Sequence, residues 1–88
     1  MKYLIIRRGM ADECLLFGGT VSHKELASDL GGLDDGPGGC KILGAGVCWF
    51  NWDPQECEWA VVLEQGSVSL NMEKKEEDIP YIKFALNQ

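Results

Sequence analysis

Apolar positions recur in two rhythms along this chain, and together they predict a mixed α+β fold. Residues 2–8 (Lys-Tyr-Leu-Ile-Ile-Arg-Arg) and 13–17 are dense in β-branched, aromatic and aliphatic side chains. They read as two strands joined by a turn at 9–12. Residues 41–50 form a long, almost uncharged run, the pattern of a central strand covered on both faces. Gly44 and Gly46 lie two apart on it, which permits the close approach of a helix or a bulge. Residues 51–57, with Asp53-Pro54, read as a turn. Residues 59–63 and 67–72 read as further strands joined through 64–66. The last has the cleanest alternation, with Val68, Leu70 and Met72 on one side and Ser67, Ser69 and Asn71 on the other.

The second rhythm is helical. Ser22 and Glu25 have capping-box spacing: the serine hydroxyl can accept from the Glu25 N–H, and the glutamate can reach back to the Ser22 N–H. Val21 and Leu26 are placed to pack across that turn as a staple. The helix they open is expected over residues 23–30, with Leu26, Ala27 and Leu30 on one face and Gly31-Gly32 at its end. A second helix is expected to start within 76–80. Acids at Glu76, Glu77 and Asp78 suit the positive end of its dipole, and Pro80 is tolerated in a first turn. Ile79, Ile82 and Leu86 mark its buried stripe.

The predicted order is β-β-α-β-β-β-α. It implies an antiparallel sheet of four or five strands with both helices on one face. Eighty-eight residues allow one domain, 1–88, with a modest core. The stretch 31–39 has five glycines and a proline and is expected to be a flexible loop.

Charge narrows the partners. The net charge is −6. Residues 53–88 carry eight acids and three bases, against six and five in residues 1–52. An acidic second half repels phosphate backbones, so direct nucleic-acid binding is not expected. A protein surface that is itself basic is a better complement. Residues 3–6 are the only apolar run near the start and Arg7-Arg8 ends it, so neither a secretory leader nor a membrane span is expected. The expected location is cytoplasmic, where Cys14, Cys40, Cys48 and Cys57 stay reduced.

Chemistry-bearing residues are few. The cysteines contain no C-x-x-C pair, so no metal and no cofactor are expected. Cys14 and Cys48 fall in strand-like segments, where cysteine serves as a small buried hydrophobe. His23, read as a surface residue, sits where a helix dipole lowers an imidazole's pKa. A Cys/His enzyme using Cys40 or Cys57 is the third-ranked reading, behind a non-enzymatic one. Asp34, Asp35 and Lys41 are the candidate ligand residues of a second reading. In it the glycine loop closes over a small molecule or nucleotide held with Arg7 or Arg8. The leading reading rests on tryptophan, which dominates binding hot spots. Trp49, Trp52 and Trp59 with the carboxylates Asp53, Glu56 and Glu58 are the expected partner-binding residues. A homodimer through a sheet edge is also expected, residues 67–72 being the candidate strand.

Residues 2–6 (Lys-Tyr-Leu-Ile-Ile), Ser22-His23, Gly44-Ala45-Gly46 and residues 67–71 (Ser-Val-Ser-Leu-Asn) before an acidic helix form a pattern that resembles small phage- and prophage-encoded proteins of unassigned function. The resemblance implies no activity and no catalytic residue. With the charge and the tryptophans, it sets the expected function: a phage accessory or anti-defence inhibitor, anti-CRISPR-like, that occludes a surface of a host protein.

Overall fold

A computed structural model describes residues 1–29 and 41–87. The elements are β1 (Lys2–Arg8), β2 (Ala11–Phe17), α1 (His23–Asp29), β3 (Lys41–Asp53), β4 (Glu58–Gly66) and α2 (Asp78–Leu86). The strands form one antiparallel sheet in the order β2-β1-β3-β4. The α+β class and the two helices agree with the sequence reading. The candidate ligand residues Asp34 and Asp35, and the whole 31–39 loop, lie outside the described residues.

The helices do not share a face. Tyr3, Leu4, Ile5 and Ile6 are all fully buried, so β1 has no solvated side. Leu4 and Ile6 pack with Ala45 and with Ala27 of α1. Tyr3 and Ile5 point the other way and pack with Cys48 and with Ile82 of α2. A central strand that is apolar at four successive positions must be covered on both sides, so each side takes a helix. The one-face arrangement is thereby corrected to helix–sheet–helix.

The expected fifth strand is also absent among the described residues. Residues 67–72 form a tight turn: Ser67 and Met72 exchange backbone bonds of 2.8 and 3.0 Å, and Asn71 N–H donates to Val68 O at 3.2 Å. Ser67 Oγ accepts from Leu70 N–H at 3.3 Å, and Asn71 takes a left-handed φ of 53°. Serine hydroxyls and asparagine backbones favour such turns, and that local chemistry outweighs the alternation. Val68 is left exposed while Leu70 and Met72 pack on the α1-side core. β4 consequently pairs with β3, not with residues 67–72.

Local signals place α1. Ser22 Oγ accepts from Glu25 N–H at 3.1 Å, the expected half of the capping box. Val21 is 39% exposed, and Leu26 packs on the core. α2 begins with Asp78, Ile79 and Pro80, and Pro80 sits where a first-turn N–H has no partner to lose.

Gly44 and Gly46 do what their spacing suggests. The β1–β3 register shifts between Ile5 and Ile6, opposite Gly44, so a bulge lies there. A Cβ on Gly44 would sit 2.5 Å from the Asp78 carboxylate, and one on Gly46 would meet the Tyr3 hydroxyl at 2.9 Å. The two bare positions admit a buried polar pair, Tyr3 Oη donating to Asp78 Oδ2 at 2.7 Å. That bond pins the start of α2 to β1. Burial, the bond to Asp78 and its negative charge push the Tyr3 phenol far above its usual range.

Candidate partner-binding surface

β3 is much longer than its neighbour β1. The β1–β3 register ends at Lys2–Val47, with one further bond from Cys48 N–H to Met1 O at 2.8 Å. Beyond it residues 49–53 pair only with residues 58–62 of β4, through Trp49–Val62 to Asp53–Glu58. Five residue pairs make a two-stranded arm that projects about 17 Å past the sheet. It is one reason the molecule is 44 Å long but 27 Å and 21 Å across.

Alternation sorts the arm's side chains onto two faces. Phe50, Trp52, Trp59 and Val61 lie on the α2 side, continuous with the core around Cys48. Trp59 stacks edge-on against Phe50 with centroids 5.7 Å apart and against Trp52 at 5.5 Å. Each such pair contributes about 1 kcal/mol beyond area burial. Trp52 is 48% exposed at the outer end of this ridge. Trp49 faces the other side, opposite Val62, and each is 62% exposed. Its indole N–H donates to Glu64 Oε2 at 2.7 Å. The structure therefore brings Trp52 and Trp59 together and sets Trp49 on the opposite face.

The expected turn at 51–57 is shorter, residues 54–57, because β3 runs on through Trp52 and Asp53. Asp53 Oδ1 accepts from Gln55 N–H (3.0 Å) and Glu56 N–H (3.3 Å), so this carboxylate closes the turn. Glu56 and Glu58 are exposed. Residues 49–66 hold four acids, Asp53, Glu56, Glu58 and Glu64, and no lysine or arginine. Val62 and Glu64 escaped the sequence reading. The signal that places them is the Asp53-Pro54 turn: folding β4 back from it gives the Trp49–Val62 register.

The other candidates fare differently. Lys41 is exposed at the start of β3 and pairs in register with Arg7. Arg7 is tied to Asp12 (2.7 Å, and 3.2 Å through its second nitrogen), and Arg8 to Glu13 (3.3 Å). The bond from Arg7 holds the Asp12 carboxyl below its usual range. Both arginines proposed for an anionic ligand are thus engaged within the chain.

His23 is buried, not a surface residue. Its Nε2 donates to Gly46 O at 2.8 Å, since a carbonyl can only accept, and its ring packs edge-on against Phe17 at 5.3 Å. Loss of hydration on burial is the leading cause lowering its pKa. Cys57 lies in the turn at the arm's tip, while His23 is bonded to Gly46 at the arm's base, on the order of 20 Å along the strand. Cys40 lies outside the described residues. Cys14 and Cys48 sit in the α2-side core, as their strand positions suggested, and burial pushes Cys14 up to about 12. Among the described residues no three His, Cys, Asp or Glu side chains cluster to hold a metal, and no helix is long and apolar enough to cross a membrane. Compared with protein-family models, curated proteins and solved structures, the chain matches none significantly.

Proposed function

We propose that this chain is a small acidic protein-binding module that docks its β3–β4 arm on a basic surface of a partner protein. One observation carries the reading: an arm that projects beyond the sheet displays half-exposed tryptophan beside the carboxylates Asp53, Glu56 and Glu58, with no lysine or arginine among its own residues. Tryptophan supplies a large rigid contact area, and the carboxylates steer a basic partner and fix its orientation. The Trp52–Trp59–Phe50 stack presents Trp52 preformed, so little side-chain freedom is lost on binding. A host protein whose own task is to hold nucleic acid offers such a basic surface. An inhibitor of the anti-defence kind would act by occupying it.

The test is affinity capture followed by measured binding to whatever is recovered. Trp52→Ala is expected to weaken that binding about thirtyfold, the effect of a hot spot of roughly 2 kcal/mol. Glu56→Lys with Glu58→Lys should slow association and flatten its salt dependence. Trp49→Ala reports separately on the opposite face. Unchanged affinity in all three variants would sink the proposal.

A further inference from the structure

The two edges of the sheet are not alike. On the β4 edge, Lys74 Nζ donates to Leu63 O (3.4 Å) and to Glu64 O (3.2 Å), and the 67–72 turn folds back beside Gly66. A lysine laid on edge carbonyls blocks the addition of another strand. Among the described residues the β2 edge has no such guard. Its pairing with β1 runs from Lys2–Phe17 to Arg8–Ala11 without a register shift, and β2 contains no proline and no lysine.

The hairpin turn fixes which groups of β2 face outward. Two residues, Gly9 and Met10, link Arg8 to Ala11, and only Gly9 has positive φ (60°), the signature of a type II′ turn. In such a hairpin the closing pair is hydrogen-bonded, and bonded pairs recur at every second residue. Ala11, Glu13, Leu15 and Phe17 therefore turn their backbone groups toward β1. Asp12, Cys14 and Leu16 turn theirs away, and among the described residues nothing bonds to them.

The side chains of this edge match a second copy of themselves. Residues 14–17 (Cys-Leu-Leu-Phe) are uncharged, and all four are only half-buried. The two acids of the strand are tied back within the chain, Asp12 to Arg7 and Tyr81, Glu13 to Arg8. A two-fold axis normal to the sheet keeps each face with its like. Centred on Leu15, it sets Leu15 against its own copy, Cys14 against Leu16 of the second copy, and Glu13 against Phe17 of the second copy. No acid then opposes an acid. The outward pair Cys14 and Leu16 exchanges backbone bonds across the axis.

We propose that two copies of this chain join edge to edge through β2, about an axis at Leu15, to form one eight-stranded antiparallel sheet. The projecting arms lie at the two far ends, so the dimer presents two docking surfaces.

Sedimentation equilibrium of the full chain over about a hundredfold range of concentration should show the mass rise from one copy to two. Hydrogen exchange at the two extremes should show the amides of Asp12, Cys14 and Leu16 slowing in the dimer. In a background with Cys14, Cys40 and Cys57 replaced by serine, Leu15→Cys should form a disulfide-linked dimer on mild oxidation. Non-bonded antiparallel partners lie about 4.5 Å apart at Cα, within disulfide reach. A single-copy mass throughout overturns the proposal. So does a dimer whose new protection falls on β4 while the three β2 amides exchange unchanged.

Discussion

Tyr3 and Asp78 are the residues on which the interior turns. Each is buried, and their 2.7 Å bond crosses from the first strand to the last helix. Tyr3→Phe leaves the Asp78 carboxylate buried without that partner, and is expected to cost about 2 kcal/mol, read as a lower denaturant midpoint with unchanged slope. Gly44→Ala should destabilise by about 1–3 kcal/mol, because the new methyl group meets the same carboxylate. If the double variant loses as much stability as the two single changes summed, the groups are not coupled through Asp78. The cysteines divide equally sharply. Cys57 is exposed and should alkylate readily at pH 8, whereas half-buried Cys14, with a raised pKa, should react slowly and buried Cys48 only on unfolding. Fast labelling of Cys48 in the native protein would contradict its placement.

At the scale of elements, the shorter helix is the more dependent on its cap. α1 has seven residues, too few for helix propensity alone to hold it. Ser22 Oγ on Glu25 N–H, His23 on Gly46 O, Ser69 Oγ accepting from Lys24 N–H at 3.2 Å and Ala27 in the core anchor it. Ser22→Ala is expected to cost about 1 kcal/mol, seen as faster hydrogen exchange over residues 25–29 with the sheet amides unaffected. The arm depends instead on its aromatic stack. Trp59→Ala removes both edge-on contacts and should lower stability by about 2 kcal/mol. It should also release Trp52, raising the solvent exposure of its fluorescence. An unchanged Trp52 signal would show that the stack does not hold that ring.

The whole molecule responds to pH through groups buried on both sides of the sheet. On the acid side His23 has a lowered pKa. As pH falls through the value near 6.5 of an unfolded histidine, the unfolded chain takes up a proton and the native state does not, so stability declines. On the alkaline side Cys14, Cys48 and Tyr3 all have raised values. From about pH 9 the unfolded chain loses protons that the native state keeps, so stability falls as pH rises. Melting temperature should therefore peak between these limits and drop on both flanks. His23→Phe should flatten only the acid flank, and Tyr3→Phe only the upper part of the alkaline one.

The pattern of apolar residues determined by itself that this chain mixes strands with two helices. Ser22 and Glu25 marked where one helix begins, and the acids before Ile79 marked the other. Those are local signals, made by groups a few residues apart. Which strand pairs with which was decided elsewhere: the turn at residues 67–72 outweighed their alternation because Ser67 and Asn71 satisfy the backbone locally. The side on which each helix lies depended on β1 being apolar at four successive positions, which requires cover from parts of the chain distant in sequence. The aromatic and acidic residues of the arm were legible as a group, but their division between two faces followed only from the register of β3 with β4. Tyr3 and Asp78 gave no sign of each other, because a bond spanning 75 residues leaves no trace in local spacing.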